Sequence, residues 1–212
     1  MSNVVEVYIS VDIEADGPIP GPYSMTSLGA TVAGWRYDTG EYAPGAAISD
    51  PEDMWNFYAE IRPISEQWRP EAFAVGLLNC YPEGTDLEQK RKMLELRGLD
   101  ADDAMHQFAN WVDLVKGLLD AKGAVFCAYP LGFDWLFTYW CMENFAWSPF
   151  GHSRHIDIKT LYMAKAKQTV SRSVKSNMPK SLRPAGAHTH NALDDAIEQG
   201  QLLMNILNWE GK

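Results

Sequence analysis

An α/β architecture, a mixed β-sheet flanked by α-helices, is what this sequence predicts, and three observations predict it. Val4–Gly17 (VVEVYISVDIEADG) alternates Val and Ile with polar residues at the period of a strand. Two further strand-like runs, Ser27–Tyr37 and Trp55–Arg62, follow it. Segments of helical spacing then interleave with one short apolar run of strand length, Ala124–Tyr129, and that order is characteristic of a mixed sheet.

Taken in order, Val4–Gly17 is expected as a buried strand, and Pro18–Tyr23 (PIPGPY) as a rigid turn, since its three prolines cannot continue a helix or a central strand. Ser27–Tyr37 ends at the Asp38–Thr39–Gly40 turn, and Trp55–Arg62 extends the sheet. Ile64–Gly84 reads as irregular, its aromatics Trp68, Phe73 and Tyr81 covering the core or lining a groove. Leu87–Arg97 is a charged helix stopped by Gly98, and Asp100 is placed to cap a second one over Ala101–Ala121, whose Met105, Phe108, Val112 and Val115 share a face. After the Ala124–Tyr129 strand come helices over Phe133–Trp147, Asp157–Ala166 and Asn191–Asn208. Gln168–Ala187 is the one stretch resembling a linker, so a single domain over residues 1–212 is expected.

Composition narrows the class. A chain of 212 residues that is 46% hydrophobic can bury a sizeable core. It has no apolar run long enough to cross a bilayer and no signal-like N-terminus, so a cytoplasmic protein without a membrane partner is expected. The cysteines Cys80, Cys127 and Cys141 are widely spaced and form no CxxC, which indicates free thiols rather than a disulfide framework or a zinc knuckle. Against a formal net charge of −10, residues Ile158–Leu193 contain no acid, while Lys159, Lys165, Lys167, Arg172, Lys175, Lys180 and Arg183 make the segment basic. Such a segment is either a phosphate-binding surface or a solvated loop.

Chemistry is concentrated in the acids. The strand period sends Asp12 and Glu14 to one side, where two neighbouring carboxylates on a Val/Ile strand repel each other and resist desolvation. A divalent cation resolves that conflict, and hard carboxylate oxygens suit Mg²⁺ or Mn²⁺. Asp134 sits among Phe133, Trp135, Leu136 and Phe137 after the apolar strand, as a helix-capping acid or a member of a site. In HTHNALDDA, Asn191 is a natural cap, which puts Asp195 in the first turn of the last helix and His190 in the loop before it. A loop histidine can titrate and a helical carboxylate is held rigidly, the respective needs of a general base and a metal ligand. His188 is the second choice for the base. His152, His155 and Asp157 (HSRHID) suggest zinc, but no Cys accompanies them and Asp157 is a natural helix cap.

Asp12 and Glu14 in VDIEADG, Asp134 in GFDW, and His190 and Asp195 in HNALDDA resemble, in order and spacing, the three motifs of the DEDDh branch of the DnaQ-like 3′–5′ exonucleases. The resemblance spans Val4 to Leu207 and implies a ribonuclease H-like fold. It implies two Mg²⁺ or Mn²⁺ ions held by Asp12, Glu14, Asp134 and Asp195, His190 as general base, and single-stranded DNA or RNA 3′ ends as substrate. Backbone groups of Ala15 and Asp16 would touch the terminal sugar, and a homodimer follows by the same likeness. Tyr23 and Met25 are read as covering the terminal base, and Arg172 and Lys175 as meeting phosphates, because their segment precedes His190. Three departures from the family pattern stand out: Pro130 replaces an Asn commonly found four residues before the middle Asp, the Pro-rich loop after Gly17 is unlike that of most members, and Ala15 replaces the usual Thr. The competing readings are a ribonuclease H-like endonuclease and a non-catalytic nucleic-acid-binding domain.

Overall fold

Strand β1 (Val4–Ala15) is the centre of the sheet, and its alternation makes it so. Val7, Ile9, Val11 and Ile13 enter one hydrophobic core, while Tyr8 enters a second on the opposite face. A strand covered on both sides must be apolar in both registers, and the polar exceptions therefore mark a special end. The computed structural model describes residues 2–45, 54–79, 84–184 and 189–211. β2 (Met25–Tyr37) pairs antiparallel with β1, setting Asp12 opposite Gly29 and Glu14 opposite Ser27. β3 (Tyr42–Pro44) and β4 (Asn56–Glu60) both pair with β2. β5 (Ala124–Ala128) and β6 (His155–Asp157) continue the sheet in parallel beyond β1, giving the order β3-β2-β1-β5-β6.

α1 (Pro70–Phe73) is a single turn, and α2 (Leu87–Arg97) carries Leu94 onto Trp68, Phe73 and Leu78. α3 (Ala101–Leu118) and α4 (Leu131–Phe145) cover the Ile9 face with Phe108, Val112, Phe137 and Met142. α5 (Ile158–Ala166) and α6 (Ala192–Asn208) cover the Tyr8 face with Tyr162, Leu202 and Leu203. Asp12 and Glu14 share the parity of Tyr8, so they face α6. The close approach of α6 is possible only because residue 29 is glycine: a Cβ there would lie 2.2 Å from the backbone carbon of Ala192.

Differences from expectation have local causes. α4 starts two residues early because Asp157 Oδ2 accepts the Leu131 N–H at 2.7 Å, while Oδ1 of the same residue caps α5 through Thr160 N–H. Asp100 occupies the cap position of α3 but makes no capping bond; it pairs with Arg62 at 2.7 Å. Gln168–Ala187 is not a linker as far as it is described, since two short 3₁₀ turns bring Met178 and Leu182 into the second core. Cys127 and Cys141 are buried free thiols; Cys80, Tyr81 and His188 lie outside the described residues. No helix among the described residues is long and apolar enough to cross a membrane.

Candidate active site

Four carboxylates from three separate parts of the chain meet at the end of β1. Asp134, 4% exposed, reaches from the first turn of α4 so that its Oδ1 accepts the Ile13 N–H at 3.2 Å, fixing it between Asp12 and Glu14 in sequence. Its carboxyl is raised to about 7 by burial, against the opposing pull of the N–H groups it accepts. Glu14 is pushed up to about 8 by burial and then by the charges of Asp195 and Asp134. Asp12 is raised well above the carboxylate range by burial and by Asp134, Glu14 and Asp195, with Lys175 acting in the opposite sense. Such mutual repulsion requires proximity, and it is the physical signature of convergence.

Asp195 is 2% exposed, and its oxygens accept the N–H groups of Thr189 at 3.2 Å and His190 at 3.1 Å. The α6 cap is the expected one: Asn191 Oδ1 accepts from Leu193 and Asp194. His190 is exposed and adopts φ of 59°, a conformation that turns the loop back toward the sheet. Its carbonyl accepts the Leu77 N–H at 2.7 Å, and Asn191 Nδ2 donates to the Leu77 carbonyl. Ligand atoms of Glu14, His190 and Asp195 lie within 4.8 Å of one another. Four carboxylates with a neighbouring imidazole, two of the acids raised into the neutral range chiefly by burial, form a donor set suited to hard divalent cations.

The remaining predicted residues divide. Lys175 borders the acids, with Nζ 2.5 Å from Glu198 and 5.2 Å from the centre of the Tyr129 ring. Arg172 is exposed on the neighbouring turn and is not among the charges acting on Asp12 or Glu14. Ala15 lines a hollow of about 300 Å³ beside Glu14, together with Pro18, Arg69, Val75 and Phe133. Asp16, Tyr23 and Met25 are not among the residues that line it. The Asp16 backbone is engaged by Ser24 and Arg69, and its side chain is wholly buried against Arg91 at 2.7 Å. Met25 belongs to the core, and the buried Tyr23 accepts hydrogen bonds from Gln67 and Arg69. A larger cavity of about 430 Å³ between α6 and β2, lined by Thr31, Trp55 and Met204, touches none of the four acids. The His155 ring lies tilted against that of Trp135, with centroids 4.9 Å apart, while Asp157 caps two helices, which leaves no zinc cluster among the described residues there.

Sequence reasoning missed two contributors. Gln199, one turn beyond Asp195, donates to the Val11 carbonyl at 2.9 Å and to Asp12 Oδ1 at 3.4 Å. Gly76 brings the segment after α1 onto Glu14, where a Cβ would sit 3.0 Å from the Glu14 Cβ. The helical spacing of Gln199 from Asp195 was the available signal for the first; nothing local announces the second.

No protein-family model matches the chain. The chain is 33% identical over 202 residues, 95% of its length and 91% of the relative's, to the 3′-5′ DNA exonuclease Cap18 of Escherichia coli. Among solved structures it resembles the nuclease domain of 3′hExo, a DEDDh family member bound to rAMP, with a TM-score of 0.65 at 16% identity over 97% of this chain and 94% of that one. Escherichia coli exonuclease I in complex with a 5cy-dA13 oligonucleotide gives a TM-score of 0.55 at 11% identity over 95% of this chain and 40% of that one. These two structural likenesses establish the ribonuclease H-like fold. The identity to Cap18 over nearly the full length of both chains, on that fold, shows that the chain belongs to the DEDDh branch of the DnaQ-like 3′–5′ exonucleases and is an enzyme of that kind.

Proposed function

We propose that this chain, as one nuclease domain, removes nucleotides from the 3′ end of single-stranded nucleic acid, with DNA the first candidate because that is what Cap18 is named for. The observation that carries the reading is the convergence of Asp12, Glu14, Asp134 and Asp195 beside His190, with the Asp12 and Glu14 carboxyl groups raised by burial and then by the charges of the other acids. The four acids would hold two Mg²⁺ or Mn²⁺ ions. The chemistry that such ions supply when bound is activation of a water nucleophile and stabilisation of charge on the phosphate and the leaving 3′ oxygen.

The chain's own residues do the rest. His190 stands in a loop whose main chain is held by Leu77 and Asp195, and its ring nitrogen takes the proton of the attacking water. Lys175, released from Glu198, meets a phosphate of the incoming strand. The hollow beside Glu14 receives the terminal nucleotide, with Phe133 and Val75 as apolar walls and Ala15 near the sugar.

The test uses 5′-labelled single-stranded DNA and RNA of matched sequence with Mg²⁺, with Mn²⁺ and with chelator. A metal-dependent ladder shortening from the 3′ end is expected; internal cuts would replace the reading with endonuclease action. His190→Ala should keep the fold and the metal response and lose roughly 10²–10⁴ in turnover. A fully active His190→Ala enzyme at neutral pH would remove the general base.

A further inference from the structure

Arg69 occupies an unusual place in the hollow. Its Nε donates to Tyr23 Oη at 3.1 Å, its guanidinium carbon stands 5.3 Å from the centre of the Tyr23 ring, and its own N–H is tied to the Asp16 carbonyl at 2.8 Å. Tyr23 is itself immobilised, since its ring fills the space where a side chain on Gly17 would lie and Gln67 donates to its hydroxyl. The base of the fork is thus anchored, and Nη1 and Nη2 have no acceptor among the described residues. Arg69 is exposed, and its pre-oriented pair of N–H₂ groups, in the wall of a hollow that is apolar apart from Glu14, is equipped to read a ligand.

We propose that Arg69 selects the 3′-terminal base, favouring guanine and cytosine over adenine and thymine. This rests on the exonuclease reading above and adds to it the identity of the nucleotide taken. An arginine fork grips two adjacent acceptors in one plane. Guanine presents O6 and N7 together, and in a single strand cytosine presents O2 and N3. Adenine sets a donor beside each ring acceptor on its amino edge, and thymine separates its two carbonyls by an N–H. Phe133 and Val75, 39% and 50% exposed, supply the apolar surface on which the ring rests while the fork reads its edge.

The experiment measures kcat/KM for removal of the first nucleotide from 5′-labelled DNA oligonucleotides that differ only in the terminal base. G and C ends are expected to be released about tenfold faster than A and T ends, the scale of one bidentate contact. In both Arg69→Met and Arg69→Lys the ratio falls to unity, because lysine keeps the charge and loses the fork; thermal melting confirms that each variant folds. Equal rates on all four ends in the native enzyme overturn the proposal. So does a preference that survives in Arg69→Lys, which would make charge alone responsible. A uniform slowing of all ends in Arg69→Met with an unchanged ratio assigns Arg69 to the phosphate backbone and also overturns it. No shortening of any end removes the exonuclease reading as well, whereas even shortening of all four removes this one alone.

Discussion

Glu14 and Asp16 stand two residues apart at the end of the same strand and have opposite fates. Asp16 is sealed in, with Arg91 at 2.7 Å on one oxygen and the Ser24 N–H at 2.6 Å on the other. Glu14 is only partly buried, and every charge acting on it is another carboxylate. Burial raises both acids, but for Asp16 every other contribution opposes the rise, while for Glu14 every one adds to it. The difference teaches how to tell an acid that supports a fold from one that awaits a ligand: the first has been given its counter-charge by the chain.

The sharpest way to break this comparison is to remove the counter-charge. Arg91→Met leaves Asp16 buried and unpaired, and by analogy with other broken buried pairs should cost about 3–5 kcal/mol in urea unfolding. A loss within error of zero would place Asp16 in the same class as Glu14. The opposite sign is expected at Glu14. Glu14→Gln in chelator should raise the melting temperature at pH 8, by about 2–4 °C for each kcal/mol of repulsion relieved, while abolishing the metal response.

The pH dependence follows from the same contrast. Glu14 and Asp134 titrate near 8 and 7 in the folded chain, against ordinary values of 4.5 and 3.8. Between roughly pH 4 and pH 8 the folded state therefore holds more protons than the unfolded one, and these groups subtract stability as pH rises through that window. The metal-free protein should melt progressively lower from pH 5 to pH 8 relative to a Glu14→Gln/Asp134→Asn variant, and Mn²⁺ should close the gap. A native curve parallel to that of the variant would show that burial and neighbouring charge do not raise these acids. The smallest effect expected is at Gln199, whose loss in Gln199→Met should raise the Mn²⁺ concentration for half-maximal activity several-fold at little cost in maximal rate, since Asp12 loses only its orienting donor.

What was legible in the sequence follows the range of the signal. Asp12 and Glu14 are related by the two-residue period of a strand, and His190 and Asp195 by a helix start that Asn191 announces, so both halves are local patterns. Asp134 is legible as a buried acid, but its bond to Ile13 spans 121 positions. Arg91 with Asp16, Leu77 with His190 and Asp157 with Leu131 are likewise long-range pairings with no periodicity to betray them. Tyr23 and Met25 show the limit of residue type, which does not say that Met25 joins the core or that Tyr23 is buried with its hydroxyl accepting from Arg69.

Gly29 lies opposite Asp12 in the ladder and directly beneath the backbone of Ala192. The spacing between the carboxylates contributed by the two ends of the chain is thus gauged by a single hydrogen atom. An alanine at that position would delete no donor and alter no charge, yet it would wedge α6 off the sheet and part Asp195 from Asp12. On the proposed reading, the site depends on a missing methyl group as well as on its carboxylates.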